Sequence, residues 1–132
     1  MREIKFKGRT LKGNKWVYGY LGESKISDNY TITTTEQKTF VVDADTIGQY
    51  VGLNDTIGFE IYENSIIAVA SPDEKNKGLG IVEYNEGIFM YTQIKHLYGT
   101  DMGLYHMPIE LILDNYYCEV VSLFYDSEEE GE

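Results

Sequence analysis

Five carboxylates, Asp43, Asp45, Asp55, Glu60 and Glu63, fall within one glycine-punctuated stretch of the chain. Carboxylates that converge can hold a magnesium ion or divide acid and base duties between them, provided their pKa values are pushed apart. Sequence spacing within loops does not bring them together. Asp43-x-Asp45 lacks the glycine and closing glutamate of an EF-hand loop. Aspartates among glycines and asparagines more commonly make Asx turns and helix caps. The two histidines, His96 and His106, belong to no His-x-x-x-His or cysteine-containing ligand pattern. Asp101 or Glu110 could orient His106. No serine lies in a Gly-x-Ser-x-Gly elbow, and no glycine-rich Lys-Ser/Thr phosphate loop occurs. Cys118 is the only cysteine, so an intramolecular disulfide is excluded. Its apolar surroundings suit an inert small hydrophobe. The expectation is a protein with no catalytic residues, metal or cofactor, and not an enzyme. A carboxylate-dependent enzyme would need at least two of the named acids to meet in a pocket.

Aromatic residues offer a different chemistry. There are 12 tyrosines and one tryptophan. A tyrosine ring packs while its hydroxyl stays wet, which suits half-buried strands and interfaces. Tyr18 and Tyr20 stand two apart, as do Phe89 and Tyr91, so each pair shares one face of a strand. With Trp16 and Tyr84 they are the candidate interaction residues. An exposed face would stack on bases or grip a peptide. A covered face would pack across strands or form a seam between subunits.

The net charge of -11 opposes general attraction to a nucleic acid backbone or an anionic membrane. The charge is unevenly placed. Arg2, Lys5, Lys7, Arg9, Lys12 and Lys15 supply six of the 11 basic residues, against Glu3 alone. Residues 17–132 carry five lysines and 21 acids, a balance of -16. Arg2, Lys5, Lys7 and Arg9 are therefore the candidate nucleic-acid contacts, if a strand aligns them. The same basic strand could instead meet an acidic face of its own chain or of a sister subunit. No apolar signal segment opens the sequence and no apolar run approaches membrane-spanning length. A cytoplasmic protein without membrane contact is expected.

Short strands must position these residues. Residues 2–7 alternate, and with Trp16 to Leu21 they read as a hairpin around Lys12-Gly13-Asn14. Tyr30 to Thr34 and Phe40 to Val42 read as strands on either side of a turn at 36–38. Asp45 is placed to cap one short helical turn at Thr46-Ile47-Gly48-Gln49-Tyr50, and the stretch from Thr46 opens as a loop or short turn. A turn at Asn54-Asp55 leads to Glu60 to Glu63, and a second at Asn64-Ser65 leads to the apolar strand Ile66 to Ala70. Residues 71–78 form a solvated loop. Gly80 to Tyr84 and Ile88 to Tyr91, joined by Asn85-Glu86-Gly87, make the clearest hairpin. Ile109 to Leu113 fits a helical turn or a strand, and Tyr116 to Tyr125 a final strand. The fold class is mainly β, a small barrel or roll with little helix. Residues 126–132 read as an acidic flexible tail.

Three groups of residues carry a family resemblance. The first is Arg2-Glu3-Ile4-Lys5-Phe6-Lys7 with Lys15-Trp16-Val17-Tyr18-Gly19. The second runs from Val42-Asp43 through Thr46-Ile47-Gly48-Gln49-Tyr50, Gly52-Leu53, Asp55 and Gly58 to Glu60-Ile61-Tyr62-Glu63. The third is Gly80-Ile81-Val82-Glu83-Tyr84 with Gly87-Ile88-Phe89. In this ordered combination the chain resembles the YopX-like family of phage and prophage proteins. The resemblance implies an SH3-like barrel over residues 56–125, preceded by a smaller β-containing subdomain over 1–55. It implies a phage or prophage origin in a bacterial host, no catalytic residues, and self-association; an unidentified phage or host protein is the other partner expected, gripped by the aromatic surface. The chain departs from the family at Asn64-Ser65, where Gly-Asp is usual, which puts any functional role for that aspartate in doubt.

Overall fold

Closely spaced turn residues and period-two apolar patterning leave room for little besides antiparallel strands. The computed structural model describes residues 3–24 and 28–124, so the acidic tail expected over 126–132 lies outside the described residues. The chain forms two compact units, Met1–Gly52 and Leu53–Glu132.

The first unit contains β1 (Phe6–Arg9), β2 (Trp16–Glu23), β3 (Tyr30–Thr33), β4 (Thr39–Val42) and most of β5 (Gly48–Asn54), with a 3-10 turn at Ala44–Thr46. Its strands lie in the order β4-β3-β2-β1-β5, all neighbours antiparallel. Ile32, Val42, Tyr50 and Val51 form its buried apolar centre. Asp43, rather than the expected Asp45, caps the 3-10 turn, accepting a hydrogen bond from the Asp45 amide at 3.1 Å. Thr46 is buried there. Its hydroxyl donates to the Asp43 carbonyl at 2.7 Å and accepts from the Arg9 amide at 2.8 Å. The stretch after it is a strand, not a loop. Two glycines disfavour β5 locally, but Tyr50 and Val51 bury their side chains and the Tyr50 amide donates to the Lys5 carbonyl at 2.7 Å. Tertiary burial outweighs weak propensity.

The second unit contains β6 (Glu60–Tyr62), β7 (Ile66–Ala70), β8 (Lys77–Asn85), β9 (Ile88–Tyr98), β10 (Met107–Pro108), helix α1 (Ile109–Asn115) and β11 (Tyr117–Ser122). Its sheet runs β10-β9-β8-β7-β11, again antiparallel. Every residue of β7 is buried, which accounts for its uniformly apolar sequence. Ile67, Val69, Val82, Tyr91, Ile112 and Cys118 are fully enclosed. Ile109 and Ile112, three apart, form the buried stripe of α1. The β8–β9 hairpin turns at Glu86 and Gly87, whose φ values of 51° and 88° are the two positive angles a tight I′ hairpin needs.

The expected barrel over residues 56–125 is instead an open sheet, and the first sheet is not closed into a barrel either. One edge, β10, is two residues long and ends in Pro108, which has no N–H to extend a ladder. The other edge, β11, is covered by the turn at 55–58. The Thr56 amide donates to the Cys118 carbonyl at 2.9 Å, and the Cys118 amide donates to the Thr56 hydroxyl at 2.9 Å. Asp55, itself buried, completes the cover. Its Oδ1 accepts from the Ile57 amide (3.1 Å) and the Phe59 amide (2.8 Å), and its Oδ2 from the Val120 amide (2.8 Å). Replacing Asp55 with Ala strips acceptors from three amides at once. Asp55→Ala is expected to lose roughly 3 kcal/mol of stability, and Asp55→Asn less, as read from urea unfolding midpoints. Equal stability in all three proteins would show that the carboxylate does not hold the edge.

Candidate functional site

Period-two geometry and the β1–β2 register, Lys7 opposite Tyr18 and Arg9 opposite Trp16, put the basic side chains on the same face as the aromatic ones. Lys7 Nζ lies 4.8 Å from the Trp16 ring centroid and Arg9 Cζ 5.4 Å from it. Lys5 Nζ lies 5.2 Å from the Tyr50 ring and 3.7 Å from a Glu3 oxygen. Such cation–π contacts contribute about 0.5–1 kcal/mol when exposed and about 2 when dry. Lys7 is fully buried. Arg2 lies outside the described residues. Tyr18 and Tyr20 are exposed, and Trp16 is half-buried.

Tyr84 is exposed on the β8–β9 hairpin, its ring edge-to-face with Phe89 at 5.0 Å. Phe89 and Tyr91 share a face, as their spacing predicts, but that face is the core. They form no part of an exposed aromatic surface. The Tyr91 ring lies over Gly80, where a Cβ would collide with it. Its buried hydroxyl has no hydrogen-bond partner among the described residues. Burial, with a smaller contribution from Cys118, raises its pKa. Period two says which side chains travel together, not which side of the sheet they face.

Each carboxylate of the 43–63 stretch whose hydrogen bonds are seen is engaged within its own unit, to a turn, a strand edge or a neighbouring side chain. Asp43 caps the 3-10 turn, Asp55 binds backbone amides, and Glu60 accepts from the Tyr62 hydroxyl at 2.8 Å. Among the described residues no group of three or more His, Cys, Asp or Glu side chains is arranged to hold a metal. His106 Nδ1 lies 3.4 Å from the Thr92 hydroxyl. Asp101 instead accepts from the Gly103 amide at 2.9 Å and Gln93 Nε2 at 3.0 Å, and these bonds lower its pKa. Among the described residues no helix is long and apolar enough to cross a membrane. Cys118 is fully buried, and desolvation, assisted by Asp55, pushes its thiol up to about 12. A neutral enclosed thiol is a poor nucleophile. Native protein is expected to leave an aromatic disulfide reagent unconsumed at pH 8 and to react once unfolded by urea; prompt native reaction would refute the assignment.

The concave feature that sequence reading missed lies on the exposed face of the second sheet. Register links Tyr117 to Ala70, Ala70 to Lys77 and Lys77 to Tyr98, so one row crosses β11, β7, β8 and β9. Glu119 stands opposite Ala68 in a neighbouring row. The short alanines leave a trough of about 190 Å³ between longer side chains, with Glu74 of the 71–76 turn also lining it. Nothing in the local sequence announces it, because its residues come from four strands and a turn.

The YopX protein family profile matches residues 5–127. The chain belongs to the YopX protein family. A search of the curated proteins finds no match. The YopX landmarks fall largely on architecture: Asp55 on the β11 edge, Gly80 beneath Tyr91, and Gly87 in the hairpin turn. The departure at Asn64-Ser65 is accommodated. Asn64 has φ 71°, a left-handed angle that glycine adopts freely and asparagine tolerates.

The 71–76 turn that carries Glu74 is organised by Asp73, which accepts from the Ser71 hydroxyl (2.6 Å) and the Lys75 amide (3.0 Å). These bonds hold the Asp73 carboxyl below its ordinary 3.8. A lowered carboxylate pKa stabilises the fold above the unfolded value and loses that contribution as pH falls through the folded value. The turn is therefore expected to keep its hydrogen bonds at pH 5 and to loosen below about pH 3.8, with the Lys75 amide resonance moving in an acid titration. Asp73→Asn should abolish that movement.

Proposed function

We propose that this protein is a non-catalytic interaction module of phage or prophage origin, acting in the cytoplasm of a bacterial host through contacts with other proteins, including a second copy of itself. The observation that carries the reading is the exposure of large aromatic and aliphatic side chains on ordered strands. In the first unit Tyr20 is 67% exposed; in the second, Tyr84 is 53% and Ile88 52% exposed across the same hairpin. Tyr84 and Ile88 flank a turn held at fixed backbone angles, so burying them would cost little ordering entropy. Aromatic anchors inside a polar rim are what protein interfaces use. The local engagement of the carboxylates also supports a non-catalytic role.

A second reading is favoured by one feature. Arg9, Trp16, Tyr18 and Tyr20 share one face of the first sheet, an interleaving of cations and rings that suits a single-stranded nucleic acid. Against it stand the net charge of -11 and the complete burial of Lys7. Salt-sensitive binding of DNA or RNA at low ionic strength would promote this reading; its absence would remove it.

Light-scattering mass after size exclusion tests the first reading. The expected result is a fixed multiple of the monomer mass, or a monomer that captures one defined protein from infected or lysogenic cells. Tyr84→Ser with Ile88→Ser should reduce the assembled or captured fraction by roughly tenfold or more while leaving the fold intact. A strict monomer that binds no protein would overturn the proposal.

A further inference from the structure

We propose that the trough on the exposed face of the second sheet binds the guanidinium group of an arginine carried on a basic segment of a partner protein. This deepens the interaction-module reading and rests on it for the identity of the partner as a protein.

The argument begins with the floor. Ala68 and Ala70 are only 5% exposed although they stand on the outer face of β7, because their neighbours rise above them. Neighbouring strands are about 4.8 Å apart, so the side chains of β11 and β8 flank the alanines at a width suited to one flat ion. Tyr117 stands on one side and Tyr98, beyond Lys77, on the other; they are 37% and 47% exposed. Phenol rings attract a delocalised cation, and guanidinium stacks on such rings better than a compact ammonium does.

The charges point the same way. Glu74 and Glu119 line the trough and Lys77 is its one cation, so the local balance is one negative charge. Among the described residues Lys77 is ion-paired with neither glutamate. Both carboxylates therefore remain available, and one incoming cation neutralises the site. Their field also acts on the Tyr117 hydroxyl, whose pKa is raised first by desolvation and then by Glu119, Asp55 and Glu74. An anionic ligand would meet two carboxylates against one lysine. A volume of about 190 Å³ is also below the roughly 300–1,000 Å³ of sites for drug-sized molecules and cofactors, while it admits a side-chain head group. The balance of -16 over residues 17–132 would steer a basic segment toward the chain.

The test uses the full chain and three blocked tripeptides, Gly-Arg-Gly, Gly-Lys-Gly and Gly-Glu-Gly, followed by the ring resonances of Tyr98 and Tyr117. The arginine peptide is expected to shift both rings saturably, the lysine peptide to bind more weakly, and the glutamate peptide to leave them unmoved. Glu119→Gln, which preserves shape, should weaken arginine binding roughly tenfold. Tyr98→Phe should retain it and Tyr98→Ala should lose most of it, with the amide spectrum reporting that each variant is folded. Rings that ignore the arginine peptide, or an affinity unchanged in Glu119→Gln, would overturn the site. A protein that assembles normally but whose rings ignore the peptide refutes the pocket alone. A strict monomer that captures no protein but binds the arginine peptide refutes the interaction-module reading and leaves the guanidinium site standing.

Discussion

The second unit depends on one buried carboxylate. Asp55 is 6% exposed, and a charge so placed is tolerated only when hydrogen bonds replace its water. Three backbone amides do so, two from its own turn and one from β11, 65 residues away in sequence. The turn is thereby shaped and joined to the edge strand by the same group. With Thr56 it satisfies the outward-facing amides of Cys118 and Val120, which would otherwise be open to pairing with another chain. The consequence reaches the outer face. Holding β11 in place holds Tyr117 opposite Ala70 and Glu119 opposite Ala68, the register that makes a trough beside β7.

The first unit solves a different electrostatic problem. A strand with cations at every second position repels itself along one face. Here rings are interleaved with the charges: Trp16 lies beneath both Lys7 and Arg9, and Tyr50 beneath Lys5. The ring faces offer negative potential without demanding a buried carboxylate. A basic strand on an acidic chain thus need not exist to meet an external phosphate; a good part of its charge is answered inside its own unit. Trp16, a candidate interaction residue in the sequence, serves as the platform for those cations.

Much of the strand pattern was legible, for reasons that differ by element. Ile66 to Ala70 stands out because burial on both faces removes polar residues altogether. The hairpin at residues 85–88 stands out because Glu86-Gly87 supplies two positive φ angles. Strand β5 was hidden because Gly48 and Gly52 depress its local propensity, and its pairing with β1 is invisible in the segment itself. Helix α1 was ambiguous because its seven residues make only about two turns, too few repeats to separate a helical period from strand alternation. Barrel closure was expected where neither sheet closes, since strand spacing alone cannot show whether a turn covers the last edge. The aromatic candidates divided for a similar reason: Tyr84 is outside while Phe89 and Tyr91 are inside. The trough was beyond reach, because Ala70, Lys77, Tyr98 and Tyr117 become neighbours only through three strand registers.

The departure at Asn64-Ser65 bears on what the acidic residue of the YopX pattern does. Ser65 is fully buried, its hydroxyl accepts from the Tyr62 amide at 3.3 Å, and its amide donates to the Tyr62 carbonyl at 3.1 Å. Its carbonyl accepts from the Val82 amide at 3.1 Å, while the Asn64 amide donates to the Val82 carbonyl at 2.7 Å. The turn is therefore locked to β8 by its backbone, and the side chain at position 65 has one evident task, to accept an amide hydrogen bond. An aspartate can perform that task, and so can a serine at less desolvation cost. Asn64 likewise replaces glycine at a left-handed angle that both adopt. A Gly-Asp pair in this place is thus explained by turn geometry, without assigning the carboxylate any chemistry. Asp55, earlier in the chain, behaves the same way: an acid in a glycine-containing turn, inside a recognisable motif, is engaged by backbone amides. That shifts the weight of functional argument from the motif's carboxylates to the exposed rings and charges around it.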